Sequence, residues 1–289
     1  MAAAPFRRVA IVGVGLIGGS IGLRLRRLLP AARVIGVDRA PVLRRAIARG
    51  AIQRGTTSLA RGLPGADLVV LALPVDMILR ILPRVARLAG PRAIVTDVGG
   101  TKGVILRAAA RAGLAGRFVG GHPMAGSERS GVAFADGALL AGAPWILCSG
   151  RDGGRALDRV RRMVSRLGAR PVRLDPRRHD EVVARLSHLP QLLSVALVNA
   201  AARGAARRSL PLAGPAFRQM SRLAESPPRL WDGILKTNRR EVERAVDDFR
   251  RELGRLRGAL GGGAPAHFRR AARTRARIGR RFWRSRTTV

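Results

Sequence analysis

The stretch VAIVGVGLIGGS, residues 9–20, decides the fold. It predicts a short buried strand that enters a GxGxxG turn and then an amphipathic helix reaching to about Leu29. Gly13 permits the tight turn, Gly15 lets a pyrophosphate approach the backbone, and Gly18 allows the helix and the strand to pack closely. The N-terminus of that helix would then offer its free amides to the phosphates.

A second signal for a dinucleotide follows at Asp38. The predicted strand at 33–37 ends there, 20 residues after Gly18, where a carboxylate meets the ribose hydroxyls. An acid at this position favours NAD over NADP, although the neighbouring Arg39 weakens that preference slightly. The alternative role for Asp38 is to cap a helix that begins near Pro41. The residues predicted to bind the cofactor are Gly13, Gly15, Leu16, Ile17, Gly18, Asp38 and Pro74.

Strands and helices alternate as far as Leu174. Apolar runs predict further strands at 66–74, 93–98, 117–120, 145–148 and 170–174, with helices between them. After Asp175 no strand-like run occurs, and a long helix is expected to be interrupted at Pro190. The sequence therefore predicts an α/β protein with an N-terminal doubly wound, Rossmann-type dinucleotide-binding domain followed by an all-helical C-terminal domain.

The predicted domain boundaries follow from this change of pattern. The dinucleotide-binding domain is assigned to residues 1–174, and the helical domain, for substrate binding and dimerisation, to residues 175–264. Long helices with apolar faces and no strand partners often pair with a second subunit, so a homodimer is expected. Residues 265–289 form an Arg-rich tail, for which the sequence leaves helix and disorder equally open.

The formal charge of +37 would suit a partner such as nucleic acid or an anionic membrane. However, only two of the 55 basic residues are lysines, which indicates a compositional bias of the genome. A nucleic-acid-binding surface would combine clustered charge with aromatic side chains for stacking, and the aromatic content is only 3%. The pattern argues against nucleic acid, and the lack of any apolar run near 18 residues argues against a membrane partner.

The single cysteine, Cys148, excludes an internal disulfide and a multi-cysteine metal site, and we predict no metal. The first eight residues lack the apolar stretch of a signal peptide. We therefore expect a cytoplasmic protein.

A second glycine-rich stretch, GGHPMAGSERSG at 120–131, contains one of only four histidines in the chain. Because a residue before proline favours extended backbone, His122 is expected where a strand ends and a loop begins. The carboxyl ends of parallel strands are where open α/β sheets bind ligands. From the residues alone, a catalytic and a structural role for His122 are equally supported.

Taken together, these stretches resemble the prephenate dehydrogenase family, including its arogenate-using relatives. The resemblance rests on residues 13–20, DVGGTK at 97–102, GHPMAGSE at 121–128, HD at 179–180, SHLP at 187–190, and FRQMSR at 217–222 followed by Trp231. It covers both predicted domains but not the tail beyond about Pro265.

The resemblance implies NAD-dependent oxidative decarboxylation of prephenate to 4-hydroxyphenylpyruvate, or of arogenate to tyrosine. It implies that His122 accepts the proton of the substrate hydroxyl as hydride departs, work that suits a neutral imidazole. It also implies that Arg222 binds a substrate carboxylate through its guanidinium fork. The remaining residues that it places at the substrate are Thr101, Ser127, Glu128, His188 and Gln191.

Some of these roles have alternatives. His188 could line the cleft between the domains or serve only to pack its helix. Glu128 could control access to the site through an ion pair. Trp231 is expected to pack the helical domain.

Two positions depart from the family pattern. Gly100 stands where many members have a serine whose hydroxyl orients the catalytic histidine, so we expect Thr101, Ser127 or a water to orient His122. Gln191 stands where some prephenate-specific members have another histidine, which leaves prephenate and arogenate both open.

Two other functions remain as alternatives. One is a related NAD(P) enzyme of the hydroxyacid dehydrogenase or imine reductase type, for which Lys236 would be the candidate lysine of the second domain. The other is a non-enzymatic binder of nucleic acid or an anionic surface acting through the basic tail.

Overall fold

The computed structural model describes residues 6–126, 128–150 and 154–278. The chain divides into two compact units, Met1–Arg239 and Arg240–Val289. The strands are β1 Arg8–Val12, β2 Arg33–Val37, β3 Arg54–Thr56, β4 Leu68–Leu71, β5 Ile94–Asp97, β6 Phe118–Pro123, β7 Pro144–Cys148 and β8 Arg170–Arg173. The α-helices are α1 Leu16–Leu28, α2 Ala40–Ala48, α3 Leu59–Gly62, α4 Val75–Leu88, α5 Gly103–Arg111, α6 Gly154–Arg166, α7 Pro176–Val183, α8 Leu189–Ala201, α9 Pro215–Ser221, α10 Pro228–Thr237, α11 Arg239–Gly258 and α12 Ala264–Ile278.

The eight strands form one sheet in the order β3-β2-β1-β4-β5-β6-β7-β8. Strands β1 to β6 run parallel, and their apolar runs are buried because helices cover both faces. The order reverses between β1 and β4, which is the position where open α/β sheets bind ligands. The α/β fold predicted from the sequence is therefore confirmed.

At the edge of the sheet formed by β7 and β8, the strands do not all run in the direction of β1 to β6. Strand β7 runs antiparallel to β6, with His122 opposite Ile146, and β8 runs parallel to β7. Strand β6 extends to Pro123, so His122 is the second-last residue of the strand and does not lie in the loop after it. The short strand β3 at Arg54–Thr56 was not predicted.

After β8, the described residues form helices that are joined by short turns, and they form no strand. The expected interruption at Pro190 takes the form of a π-helical turn, Ala184–His188, between α7 and α8. Proline lacks the amide that would bond the carbonyl four residues earlier, and its ring crowds that carbonyl. A wider turn relieves this conflict, and such turns occur often at functional sites.

The second unit contains most of α11 and the helix α12. Arg270 and His267 on α12 both contact the carboxylate of Glu252 on α11. Between the two helices lies an open cavity of about 660 Å³ bordered by Leu256 and Phe268. The Arg-rich segment is thus helical to Ile278, and the rest of the predicted tail lies outside the described residues. The division at 174 and 264 remains a prediction.

No helix among the described residues is long and apolar enough to cross a membrane.

Gly120 and Gly121, the two residues before His122, allow other parts of the chain to pack closely against β6. A Cβ on Gly121 would lie 2.5 Å from the backbone oxygen of Asp97 and 2.9 Å from the indole nitrogen of Trp145. A Cβ on Gly120 would lie 2.9 Å from Cδ of the buried Lys102. A side chain at position 121 would therefore move β5 and β6 apart, whereas one at position 120 would displace the Lys102 side chain.

We predict that Gly121→Ala lowers the free energy of unfolding by about 1–3 kcal/mol or more, since backbone cannot yield as a flexible side chain can. Gly90→Ala is the control, because its Cβ would meet nothing within 4 Å, and it should change stability by less than about 0.5 kcal/mol. Chemical denaturation of both variants measures the difference. Equal stabilities would contradict the close approach beneath β6.

Candidate active site

The glycine turn after β1 has the geometry expected of a dinucleotide loop. Gly13 has a φ of +91°, and a Cβ there would lie 2.3 Å from the backbone oxygen of Ala72, just after β4. A Cβ on Gly18 would lie 2.0 Å from the oxygen of Gly13, whereas Gly15 faces open space. No acidic side chain occupies the first turn of α1 and none caps it. The helix N-terminus is therefore open to an anion.

The other predicted cofactor residues lie at the same edge of the sheet. Asp38 accepts a hydrogen bond from the Val14 amide at 2.7 Å and another from the Arg39 amide at 2.7 Å. It thus ties the glycine turn to β2, and its carboxylate retains lone pairs for further donors. Arg39, not Asp38, is the N-cap of α2. Pro74 directly precedes α4, beyond the end of β4. These residues fit a dinucleotide.

His122 lies on β6 at this carboxyl edge, where it begins a chain of hydrogen bonds. Its Nδ1 lies 2.9 Å from Nε2 of His179, and Nδ1 of His179 lies 2.8 Å from Oδ1 of Asp180. Asp180 also accepts the backbone amides of Lys102 at 2.7 Å and Gly103 at 2.9 Å, at the start of α5. His179 is fully buried and His122 is half-buried.

The hydrogen-bond partner of the His122 ring is therefore His179. The expected candidates were Thr101, Ser127 or a water, and the expectation for Thr101 was wrong. The Thr101 side chain is fully buried, and its hydroxyl lies 3.0 Å from that of Thr237, which bonds the Gly233 carbonyl. Ser127 lies outside the described residues.

A buried ion pair connects the end of β5 to the start of α5, next to the strand that carries His122. Asp97, at the end of β5, pairs with Lys102, and both side chains are fully buried. The Asp97 carboxylate also accepts the Gly99 amide at 2.8 Å and the Gly121 amide at 3.1 Å. Burial raises the pKa of Asp97, against the opposing pull of Lys102. The carboxylate thus fixes the start of α5 relative to the strand that carries His122.

The histidines of the site are neutral at neutral pH. Burial lowers the pKa of His122 well below 6.5, and charge repulsion from the protonated form of His179, from Lys102 and from the protonated form of His188 adds to the effect. Burial also lowers the pKa of His179, against the opposing influence of Asp180. For Asp180, burial would raise the pKa, but hydrogen bonds from His179, Lys102 and Gly103 outweigh it and lower the pKa. The result is a carboxylate next to two neutral imidazoles.

His188 lies in the π-helical turn and is buried. Its Nδ1 lies 3.3 Å from the side-chain amide of Asn238, and it bonds the Gly100 backbone. The ring meets Trp231 edge-on, with centroids 5.9 Å apart. Trp231 itself packs against a buried apolar cluster that includes Ile234 of α10 and side chains of the sheet, and its expected role in packing the helical domain remains a prediction.

A Cβ at position 100, where the family pattern has a serine, would be in tight contact with Ile234. A Cβ on Gly100 would lie 3.0 Å from Cδ1 and 3.2 Å from Cγ1 of Ile234 on α10. The branched side chain of Ile234 thus lies against Gly100, and it would have to shift slightly to admit a serine.

Arg222 and Glu128 form an ion pair across 94 residues of sequence. Glu128 lies in the loop after β6, and Arg222 begins a 3₁₀ turn that follows α9. A hydrogen bond from its own backbone amide lowers the pKa of Glu128, and the Arg222 guanidinium contributes as well. The pairing that could control access to the site is therefore present.

The side chain of Gln191, which was expected to bind substrate, forms hydrogen bonds within the helical segment. Its amide nitrogen donates to the Leu223 carbonyl at 2.8 Å, and its oxygen lies 3.3 Å from the Ser226 hydroxyl. Gln191 therefore attaches α8 to the 3₁₀ turn that carries Arg222. Its assignment to the substrate remains a prediction.

The sequence resemblance included His179 and Asp180 but assigned them no role. Nothing in their spacing reveals that a buried histidine 57 residues from His122 reaches its ring. One sequence signal was available: Asp175 followed by Pro176 is a typical helix start, with Asp175 as the N-cap. It would have placed His179 and Asp180 near the beginning of a helix.

The arrangement can remove a proton from a bound group next to a dinucleotide. It combines a neutral imidazole, a carboxylate that orients it and an arginine within one region of the first unit. Among the described residues, no group of three or more His, Cys, Asp or Glu side chains could hold a metal ion. The fold and the site together define a dinucleotide-binding oxidoreductase.

Comparisons with known proteins identify the family. Residues 21–173 match the family model described as the prephenate dehydrogenase nucleotide-binding domain, and residues 175–273 match the model described as the prephenate dehydrogenase dimerization domain. The chain therefore belongs to the prephenate dehydrogenase family. A prephenate dehydrogenase of Lactococcus lactis subsp. cremoris is 32% identical over 86% of this chain and 70% of its own length.

Two solved structures are also similar. The prephenate dehydrogenase of A. aeolicus in complex with hydroxyphenyl propionate and NAD⁺ has a TM-score of 0.84 at 28% identity, over 96% of this chain and 99% of that one. The arogenate dehydrogenase of Synechocystis has a TM-score of 0.78 at 29% identity, over 94% of this chain and 99% of that one.

We predict that His188 titrates at about pH 4, because burial and the neighbouring His179 lower its pKa to about 4. An NMR titration of the histidine ring protons measures this value, with His188→Gln to assign the signal. A midpoint near the ordinary 6.5 would show that the ring is open to solvent and would contradict its packing between Gly100 and Trp231.

Proposed function

We propose that the protein catalyses the NAD-dependent oxidative decarboxylation of prephenate to 4-hydroxyphenylpyruvate. The observation that carries this proposal is the hydrogen-bonded His122 at the carboxyl edge of β6, in a fold whose glycine turn suits a dinucleotide. Arogenate is the alternative substrate, favoured by the similarity to the Synechocystis enzyme. Both substrates carry a ring hydroxyl, a ring carboxylate and a side-chain carboxylate.

The residues that would hold the dinucleotide are Gly13, Gly15, Leu16, Ile17, Gly18, Asp38 and Pro74. The first turn of α1 would bind the pyrophosphate, and Asp38 would bind the ribose hydroxyls. Because a carboxylate repels a 2′-phosphate, NAD is preferred over NADP. When bound, the cofactor supplies the acceptor for the hydride that leaves C4 of the substrate ring.

His122 accepts the proton of the C4 hydroxyl, so that a carbonyl forms as the hydride leaves. The bond to the ring carboxylate then breaks, CO₂ departs, and the bonding electron pair enters the ring, which becomes aromatic. The proton returns from His122 to the resulting phenolate oxygen. Because burial lowers its pKa, His122 is unprotonated when the substrate arrives and can return the proton to the phenolate.

Arg222 binds a carboxylate of the substrate through its guanidinium fork. Its pairing with Glu128 keeps the guanidinium in position before substrate arrives, and the incoming carboxylate replaces Glu128. His188 forms part of the wall of the site, next to the Gly100 backbone. The assignment of Thr101 and Ser127 to the substrate remains a prediction, and the Thr101 hydroxyl is already engaged by that of Thr237.

We further propose a homodimer formed through the helical segment. The match of residues 175–273 to a family model described as a dimerization domain supports it. So do the exposed apolar side chains of this segment, which include Leu186, Leu212, Met220, Leu253, Leu260 and Phe268.

The activity is tested by mixing the protein with prephenate or arogenate, each with NAD or NADP, and measuring reduced cofactor by absorbance. We expect NAD reduction with at least one substrate. His122→Asn should lower kcat by at least about 100-fold, the contribution of a positioned base, while the Kd for NAD stays unchanged. No turnover with any combination would contradict the proposal, and a fully active His122→Asn would contradict the role of the base.

Arg222→Ala should raise KM about 10- to 100-fold, since a charge-assisted hydrogen bond to the substrate is lost, with a smaller effect on kcat. The matched control is Arg229→Ala, which removes an exposed arginine from the neighbouring α10. Steady-state kinetics of both variants separate a specific contact from the general positive charge of the chain. Equal KM values in the two variants would exclude Arg222 as a substrate ligand.

A further inference from the structure

His179 forms a hydrogen bond with the proposed base, and Asp180 forms one with His179. His179 and Asp180 begin the helical segment, and both are buried. The side chain of His179 lies between the Asp180 carboxylate and the His122 ring, with hydrogen-bond distances of 2.8 and 2.9 Å. Resting on the proposed function, we propose that Asp180 and His179 are positioning residues that fix the tautomer of His122, so that its Nε2 is always the unprotonated nitrogen.

The direction of each hydrogen bond follows from Asp180. An ionised carboxylate can only accept hydrogen bonds, and this one accepts two backbone amides at the start of α5. These amides, together with the positive end of the α5 dipole, keep Asp180 ionised. The Nδ1 of His179 must therefore carry a proton and donate it to Asp180.

The same reasoning extends to His122. Because burial lowers the pKa of His179, the ring is neutral at neutral pH and its Nε2 bears a lone pair. That lone pair can only accept, so Nδ1 of His122 must be the protonated nitrogen and the donor. The remaining nitrogen of His122, Nε2, is left with a lone pair and no proton. It is the atom that can accept the substrate proton.

The arrangement opposes the intrinsic preference of the ring. Free neutral histidine favours the tautomer with its proton on Nε2, which could not act as a base at that atom. Without an acceptor at Nδ1, most His122 rings would hold their proton on the wrong nitrogen. A second-residue hydrogen bond commonly sets which nitrogen of a functional histidine is protonated, and loss of such a tautomer can lower kcat by about 10⁴-fold in other enzymes.

The charged groups facing these rings come from every neighbouring element. Lys102 at the start of α5 and His188 in the π-helical turn disfavour a second proton on His122, and Asp97 on β5 is paired with Lys102. None of them reaches Nδ1 of His122 with an acceptor. His179 is the only acceptor for that atom among the hydrogen bonds of the described residues.

The wild-type protein allows a direct test, since the chain has only four histidines. Long-range ¹H–¹⁵N NMR spectra distinguish the two neutral tautomers, and His267→Gln and His188→Gln spectra assign the other two rings. We expect His122 and His179 both to carry their proton on Nδ1. A proton on Nε2 of His122, or on Nε2 of His179, would overturn the inference. This measurement needs no substrate, so it stands or fails separately from the proposed activity.

Two substitutions test the consequence for turnover. His179→Phe preserves a ring of similar size but removes the acceptor, and kcat should fall about 100-fold or more with KM and the Kd for NAD unchanged. His179→Gln supplies an amide oxygen to accept from His122 and an amide nitrogen to donate to Asp180, and should restore kcat to within about tenfold of wild type. A purely structural role would instead lower stability, with no such difference in kcat between Phe and Gln. Wild-type kcat in His179→Phe, or equal losses in both variants, would overturn the inference.

Discussion

The carboxylate of Asp180 is the interaction on which the site depends. It accepts the first amides of α5 and the ring of His179, and so joins the helical segment to the edge of the sheet. The Asn238 side chain bonds the Asp180 backbone at 2.8 Å and also approaches His188. A buried charge is tolerated only when its hydrogen bonds are complete. The same bonds that satisfy Asp180 therefore also set the position of His122.

The position of the site also depends on the sheet, where glycines allow neighbouring parts of the chain to approach closely. Gly121 lets the Asp97 backbone and the Trp145 ring lie against β6, and Gly13 lets the first turn lie against the residues after β4. These contacts bring the glycine turn, the Asp97–Lys102 pair and His122 to one edge of the sheet. The hydroxyl missing at position 100 fits this packing, because Ile234 lies against Gly100.

The parts of the fold that depend on local pattern could be predicted from the sequence. Apolar runs and the glycine spacing were sufficient for β1, α1 and the parallel strands β2, β4, β5 and β6, and the resemblance singled out His122 and Arg222. The antiparallel step from β6 to β7 could not be predicted, because an apolar run carries no strand direction. The same holds for the contact between His122 and His179 and for the pair Glu128–Arg222, which join distant segments through the tertiary fold alone.

The pH dependence of kcat/KM tests the central claim, a neutral base held ready for a proton, most directly. His122 must be unprotonated to act, so activity is lost as the pH falls through its pKa, which burial lowers well below 6.5. The account predicts a profile that stays flat through neutral pH and an acid limb with its midpoint below 6.5. An acid limb at or above 6.5 that disappears in His122→Asn would contradict it.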